Sequence, residues 1–278
     1  MPELPEVEAA RRLLLSRVKD HVITEVTASN DSIVFDGQSP ARVRRWLRGA
    51  QVEDVGRRGK YLWLAINRRP QPVFHLGMTG SFRFPGEQPL ALESDGAVED
   101  RAWPPRFCKL VVSLDDGTEF AFVNKRRLGR VIFRDDPITA DPIAGLGPDA
   151  YDALPPTERF AETVGKKRGT LKGMLLDQRF LAGVGNWIAD EVLYHAGLDP
   201  RRTGASLSDA ETERLRQALV TVLNTAVSVD ADKARFPAEW LFHRRWGKQT
   251  DATTWDGHPI EHLTVGGRTT AWVPVVQE

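Results

Sequence analysis

A chain of 278 residues suits one large domain or two small ones, and its 38 basic and 38 acidic side chains cancel, so bulk charge does not draw it to a polyanion. It is 41% hydrophobic, enough for ordinary cores, but has no apolar run of membrane-spanning length, and its acidic, proline-rich start is no signal peptide. A single cysteine, Cys108, excludes an internal disulfide and a thiolate-rich zinc site, and the six histidines are scattered, so no metal site is read.

The first eight residues, Met1-Pro2-Glu3-Leu4-Pro5-Glu6-Val7-Glu8, hold two prolines and three carboxylates. Pro5 suits a first helical position and acids suit a first turn. Val7, Ala10, Leu14 and Val18 recur at helical spacing, which predicts a helix over 5–18. β signals follow at 22–26, 32–35, 51–55, 61–66 and 73–76, interrupted by a short helix at 39–47 with Ser39 as its cap and Pro40 at its first position. Residues 85–106, rich in Pro, Gly and acid, predict a long surface loop. Segments 107–114 and 118–123 flank the hairpin turn Asp115-Asp116-Gly117, and 131–133 closes the region; Cys108 falls in this apolar pattern as a small core residue. The pattern predicts an antiparallel β-sandwich with a leading helix.

Five prolines and several acids in 135–156 mark a linker or surface crossing. Helical spacing then takes over at 158–164, 171–176, 187–195 and 209–227. The last is predicted to open on a capping box, Ser208 with Glu211, and has an apolar stripe of Leu215, Ala218, Leu219, Val222 and Ala226. Gly197 reads as a helix stop before the turn at Asp199-Pro200. Asp256-Gly257 and Gly266-Gly267 punctuate a short β C-terminus, with Trp255, Ile260, Leu263 and Trp272 as its candidate core.

Several stretches carry chemistry. Proline at position 2 permits removal of Met1, which leaves a secondary amine at the chain end. A neutral amine is a nucleophile that needs little pKa depression. Glu3 and Glu6, three apart, share a helix face or flank one turn; a well-made helix start accounts for the same residues. The loop Gly183-Val184-Gly185-Asn186 before Trp187 offers helix N–H groups to a phosphate, or is an ordinary glycine bend between helices. Lys60 follows Gly59 at a strand entrance, where the residues alone read as a solvated lysine next to a turn. Met78, in the turn Gly77-Met78-Thr79-Gly80, is an apolar side chain with exposure expected. Residues 1–150 hold 22 basic and 21 acidic side chains and 151–278 hold 16 and 17, so neither part is strongly basic and any contact with a polyanion must rest on local clusters such as Lys125-Arg126-Arg127.

The opening Pro2-Glu3-Leu4-Pro5-Glu6-Val7-Glu8 resembles that of the formamidopyrimidine-DNA glycosylases. The likeness recurs, in the family's order, at Gly59-Lys60, Leu76–Gly80, Lys125–Gly129, Gly183–Trp187 and Gly266–Thr270. The resemblance implies base-excision repair on damaged double-stranded DNA, by a monomer with no cofactor, inside the cell wherever its DNA lies. It implies Pro2 as nucleophile, Glu3 handling protons, Lys60 supporting catalysis at a phosphate, and Glu6 supporting the helix start. Met78, Arg126 and Leu128 then fill the gap left by a flipped base. Arg127, Asn186 and Arg268 hold DNA, the last at a hairpin tip. Many members carry that arginine on a four-cysteine zinc finger; without the cysteines, this chain resembles the zincless branch.

The implied fold is α+β: a catalytic β-sandwich domain with a leading helix over 1–135, a linker over 136–156, a helix–two-turns–helix domain over 157–245, and a zincless β-hairpin finger over 246–278. Two departures bear on substrate. Leu128 stands where many relatives have phenylalanine, and it stacks less well. The segment 230–237 is shorter than the Gly/Thr-rich loop that closes over 8-oxoguanine in bacterial relatives. Formamidopyrimidines and hydantoins are therefore the expected lesions, with 8-oxoguanine weaker. Two alternatives stay open: an endonuclease VIII-type glycosylase for oxidised pyrimidines, whose usual opening has glycine in place of Leu4, and a catalytically silent damage binder.

Overall fold

The structure, a computed structural model, describes residues 2–86, 102–246 and 251–278. Most of the expected 85–106 loop lies outside the described residues. The chain forms two compact units: Met1–Pro2 with Glu6–Gly145, and Glu3–Pro5 with Leu146–Glu278. Sequence order alone placed the first 135 residues together. Leu4 instead packs in the second unit's core, and its N–H donates to the Gly183 carbonyl at 3.2 Å.

In the first unit, helix α1 (Leu4–Val18) leads two four-stranded antiparallel sheets. One runs in the order β1 (Ile23–Ala28), β6 (Cys108–Leu114), β7 (Glu119–Asn124), β5 (Gly80–Arg83). The other runs β2 (Val52–Arg58), β3 (Tyr61–Ile66), β4 (Gln71–His75), β8 (Arg130–Arg134). The α1 stripe of Val7, Ala10, Leu14 and Val18 is buried in one core with Phe74, Phe82, Phe120 and Phe122 from the sheets. Helix α2 (Pro40–Leu47) starts as its residues dictate, the Ser39 hydroxyl accepting from the Arg42 N–H.

One expected strand is a turn. At 32–35 the run Ser-Ile-Val-Phe follows Asn30-Asp31, both turn formers. The Asp31 carboxylate accepts from the Val34 N–H at 3.2 Å and its carbonyl accepts from the Phe35 N–H, so Val34 and Phe35 reach the core without a ladder. Strand β5, too short to show a period, has no counterpart among the expected elements. Cys108 is half-buried; its thiol donates to the Leu110 carbonyl, and burial pushes its pKa up to about 11.

The second unit builds on α3 (Thr157–Gly165), α4 (Leu171–Leu176), α5 (Asn186–Ala196) and α6 (Asp209–Ser228). The capping box at Ser208 and Glu211 forms, and Gly197 closes α5 in the left-handed region at φ 65°. Strands β9 (Glu261–Val265) and β10 (Arg268–Trp272) make the C-terminal hairpin. Its core is Leu241, Ile260, Ala271 and Val273, with Trp272 buried under the Arg201 guanidinium. Trp255, expected in that core, is 59% exposed, because the adjoining Asp256-Gly257 turn carries it outward. No described helix is long and apolar enough to cross a membrane.

Candidate active site and nucleic-acid interface

The second unit holds Glu3, and holds it tightly. Helix α5 begins after Gly185, which leaves its first N–H groups without partners inside the helix. The buried Glu3 carboxylate takes two of them, Trp187 N–H at 2.9 Å and Ile188 N–H at 3.2 Å. An anion at the positive end of a helix is stabilised there. The approach is close enough to require glycine: a Cβ on Gly185 would lie 2.2 Å from the Glu3 carboxyl carbon. Gln178, which the sequence did not single out, holds the loop from below. Its side chain accepts from Gly183 N–H and donates to the carbonyls of Val184 and Leu176.

Asn186, at the first turn of α5, is partly exposed. One hydrogen of its amide goes to the Thr269 carbonyl at 3.1 Å, which ties the helix start to β10. An amide nitrogen carries two hydrogens, so a second remains for a ligand. Arg268 opens β10 and is exposed beside Gly267. Behind these two lie charges that the sequence reading missed. Asp190 is fully buried and accepts from Lys172, from Arg245 and from the Ala271 N–H. Glu191, equally buried, accepts from Leu241 and Phe242 N–H and pairs with His195. The only sequence signal was two adjacent acids within the apolar run Trp187–Leu193.

The segment 230–237 is anchored, with Lys233–Arg235 in a single 3-10 turn. The ring of Phe236 packs among Trp187, Trp240 and Phe242 at centroid distances of 5.7, 4.9 and 5.0 Å.

The first unit holds Pro2, Glu6, Lys60, Met78, Arg126, Arg127 and Leu128. Pro2 is buried, and Glu6 and Lys60 are partly buried. The start of α1 is fixed by Glu8, whose carboxylate meets Arg11 at 2.7 Å, Arg57 at 2.9 Å and Arg12 at 3.0 Å. Burial opposes the Glu8 charge, but the Arg11 and Arg57 guanidiniums outweigh it and hold the carboxyl below its usual value.

Met78 and Leu128 come together through one glycine. Gly77, at φ 64°, packs so closely that a Cβ would lie 2.4 Å from the Leu128 backbone. The Gly77 N–H donates to Nδ1 of His75, a residue the sequence reading passed over. The buried Asn124 amide completes the brace, donating to the Leu76 carbonyl and accepting from Gly129 N–H. Met78 is half-buried, whereas Leu128 stands 44% exposed and Arg126 is exposed beside it. Arg127 differs from its neighbour. It takes a left-handed φ of 55° and its guanidinium grips Asp31 at 2.9 and 3.0 Å, where Lys109 also pairs. Arg127 thus pins the loop that displays Arg126 and Leu128.

The hairpin does not fit a thiolate metal site, since the chain's one cysteine lies on β6 in the other unit. Among the described residues, His21, Asp115 and Asp116 bring metal-ligating atoms together, but the group lies at an exposed turn and His21 is already paired with both acids.

Comparison with known proteins bears on the family and the fold. The family model of the formamidopyrimidine-DNA glycosylase N-terminal domain matches residues 1–131, and that of the H2TH domain matches 146–238. A formamidopyrimidine-DNA glycosylase of Arabidopsis thaliana is 41% identical over 278 residues, covering 100% of this chain and 71% of the relative. One from Moorella thermoacetica is 33% identical over 97% of this chain and 89% of its own length. The crystal structure of the Lactococcus lactis enzyme, bound non-covalently to DNA with an abasic site, matches at a TM-score of 0.81 and 23% identity with full coverage of both chains, a likeness of fold. The sandwich with its leading helix, the four helices and the C-terminal hairpin, together with these matches, make the chain a member of the formamidopyrimidine-DNA glycosylase family.

Proposed function

We propose that this protein excises oxidised bases from duplex DNA as a bifunctional glycosylase and abasic-site lyase, working as a monomer and without a cofactor. The observation that carries the proposal is Glu3. The residue directly after Pro2 has its carboxylate fixed on the first turn of α5, beside Asn186. A carboxylate so fixed can move protons at one place repeatedly, as general acid–base catalysis needs.

With Met1 removed, the Pro2 nitrogen carries a lone pair and attacks C1′ of the damaged nucleotide. The base departs with the electrons of the glycosidic bond and takes up a proton. The attached nitrogen gives its proton to the Glu3 carboxylate, which passes it to the sugar ring oxygen; the ring opens, and the electrons freed on nitrogen form the iminium. Loss of a C2′ proton expels the 3′ phosphate by β-elimination. A second elimination expels the 5′ phosphate, and hydrolysis frees Pro2. The amine supplies the covalent chemistry. Lys60, Asn186 and Arg268 are the proposed phosphate contacts, while Met78, Leu128 and Arg126 occupy the space of the extruded base. Because Asp31 engages Arg127, we read that residue chiefly as the anchor of this loop. Glu6 supports the start of α1.

The anchored segment 230–237 favours formamidopyrimidines and hydantoins over 8-oxoguanine, since Phe236 is committed to an aromatic cluster and leaves little chain to fold over a base. A panel of duplexes carrying each lesion, and thymine glycol for the oxidised pyrimidines, tests the ranking. Faster release of formamidopyrimidine and hydantoin than of 8-oxoguanine is expected. Preference for thymine glycol over all three points to the pyrimidine-specific alternative.

A further inference from the structure

A two-stranded hairpin has a small core, and isolated hairpins are marginal in water. Among the described residues, β9 and β10 rest on a small apolar cluster of Leu241, Ile260, Ala271 and Val273, with Val265 and Trp272 buried beside it. Yet β10 carries Arg268, and an exposed arginine serves as a phosphate clamp only if its backbone is held in place.

What holds it is charge. Asn186 and Asp190 are four apart on α5, hence on one face. That face meets β10 at two backbone groups. The Thr269 carbonyl accepts from Asn186 Nδ2 and from Lys172 Nζ, both at 3.1 Å. The Ala271 N–H donates to Asp190 at 3.2 Å. Lys172 and Arg245 close on the same Asp190 carboxylate, and all three side chains are at least 95% buried. Two cations against one carboxylate is an imbalance that a buried site tolerates poorly. Glu3, whose carboxylate also acts on Lys172, supplies the second negative charge. Burial nonetheless lowers the Lys172 pKa on balance, against the pull of Asp190 and Glu3.

We propose that Asp190 is a positioning residue for Arg268. Clasped between Lys172 and Arg245, its buried carboxylate fastens β10 to α5, so that Arg268 is presented to DNA in fixed register with Asn186. The ion cluster does for this hairpin what bound metal does for a metal-clamped finger. It also links the hairpin to Glu3 through Lys172, so that clamp and proton-handling carboxylate share one electrostatic unit. The inference rests on Arg268 contacting a phosphate.

A double-mutant cycle read by duplex affinity tests it, with wild type, Asp190→Asn, Arg268→Ala and the double variant titrated in salt on a duplex carrying a tetrahydrofuran abasic analogue. Arg268→Ala is expected to weaken binding about tenfold and flatten the slope of log K against log salt by about one. Asp190→Asn should reproduce both effects, and the double variant should lose no more than Arg268→Ala alone. Losses that multiply, or wild-type affinity and slope for Asp190→Asn beside a weakened Arg268→Ala, overturn the inference and leave the clamp standing. Wild-type binding by Arg268→Ala overturns the clamp and the inference together. If Asp190→Asn does not fold, Lys172→Met carries the test, because it leaves the Asp190–Arg245 pair neutral. Amide exchange across residues 261–272 should then quicken while that of α6 stays as in wild type; unchanged exchange in the hairpin sinks the inference.

Discussion

Oε1 of Glu3 accepts a hydrogen bond from the Trp187 N–H at 2.9 Å, joining residues 184 apart in the chain. The contact explains why residue 185 is glycine. Gly185→Ala would place a methyl group inside the space of the Glu3 carboxylate. A displacement of about 1 Å at a reacting group costs roughly 10²-fold in rate. Gly185→Ala is expected to lose about that much in single-turnover excision while still binding abasic-analogue duplex. Near wild-type excision by a folded variant would mean that the placement of Glu3 is irrelevant to the reaction.

Glu3→Gln probes the same group by chemistry. The amide keeps one acceptor but gives up the second, at a cost of about 1–3 kcal/mol in stability. Base removal should fall by about 10²–10⁴-fold, the usual contribution of a general acid–base group, with duplex affinity within a few-fold of wild type. Excision and binding measured side by side separate the two effects. Excision at the wild-type rate would remove Glu3 from the mechanism.

His75 makes a pH-dependent prediction. Burial first, then the charges of Lys60 and Arg130, lower its pKa from 6.5 to about 4. Its Nδ1 accepts from Gly77, as only a neutral ring can. The unfolded chain therefore takes up this proton at a higher pH than the folded chain. Stability from this group is complete above about pH 6.5 and declines as the pH falls towards 4, by on the order of 3 kcal/mol. Denaturation curves between pH 7.5 and 4.5 should show wild type losing more stability than His75→Gln. Parallel losses would contradict the assignment.

Asp31 predicts a different acid response. Burial alone would raise its pKa, but Arg127 and Lys109 hold the carboxyl well below the usual range. The contribution is present above the unfolded value of about 3.9 and fades only as the pH drops below that, towards the depressed folded value. At neutral pH, Asp31→Asn should cost about 1–3 kcal/mol, because the carboxylate is buried while Arg127 is half in solvent. It should also loosen the Arg126–Leu128 loop and slow lesion processing, leaving the salt slope of duplex binding nearly unchanged. A slope change of a full unit would reassign Arg127 to a phosphate.

Local chemistry was legible in the sequence and long-range charge was not. The α1 stripe, the Ser39 and Ser208 caps, the Gly197 stop and the Asp116-Gly117 turn all act within a few residues, and each forms as its residues dictate. The 32–35 strand failed because Asp31 offered the backbone a nearer partner than any ladder. The Trp255 expectation failed because an aromatic beside a turn has no periodic neighbour to say which way it faces. At the site, the motifs gave Glu3, Asn186 and Arg268 as separate points. Asp190, Lys172 and Arg245 span 73 positions of chain, and nothing in their spacing marks them as one buried cluster. The partner of Arg127 lies 96 residues away and is equally silent.

The central claim is that the amine of Pro2 forms a covalent bond to the sugar of the damaged nucleotide, and borohydride trapping tests it most directly. The protein is incubated with a duplex carrying a formamidopyrimidine lesion, reduced with borohydride, digested and read by peptide mass. The account predicts a chain that starts at Pro2 and a DNA adduct on the peptide beginning Pro2-Glu3-Leu4, lost when Met1 is retained, since the Pro2 nitrogen is then an amide. An active sample that retains Met1 throughout, or an adduct carried by a lysine such as Lys60, would contradict it.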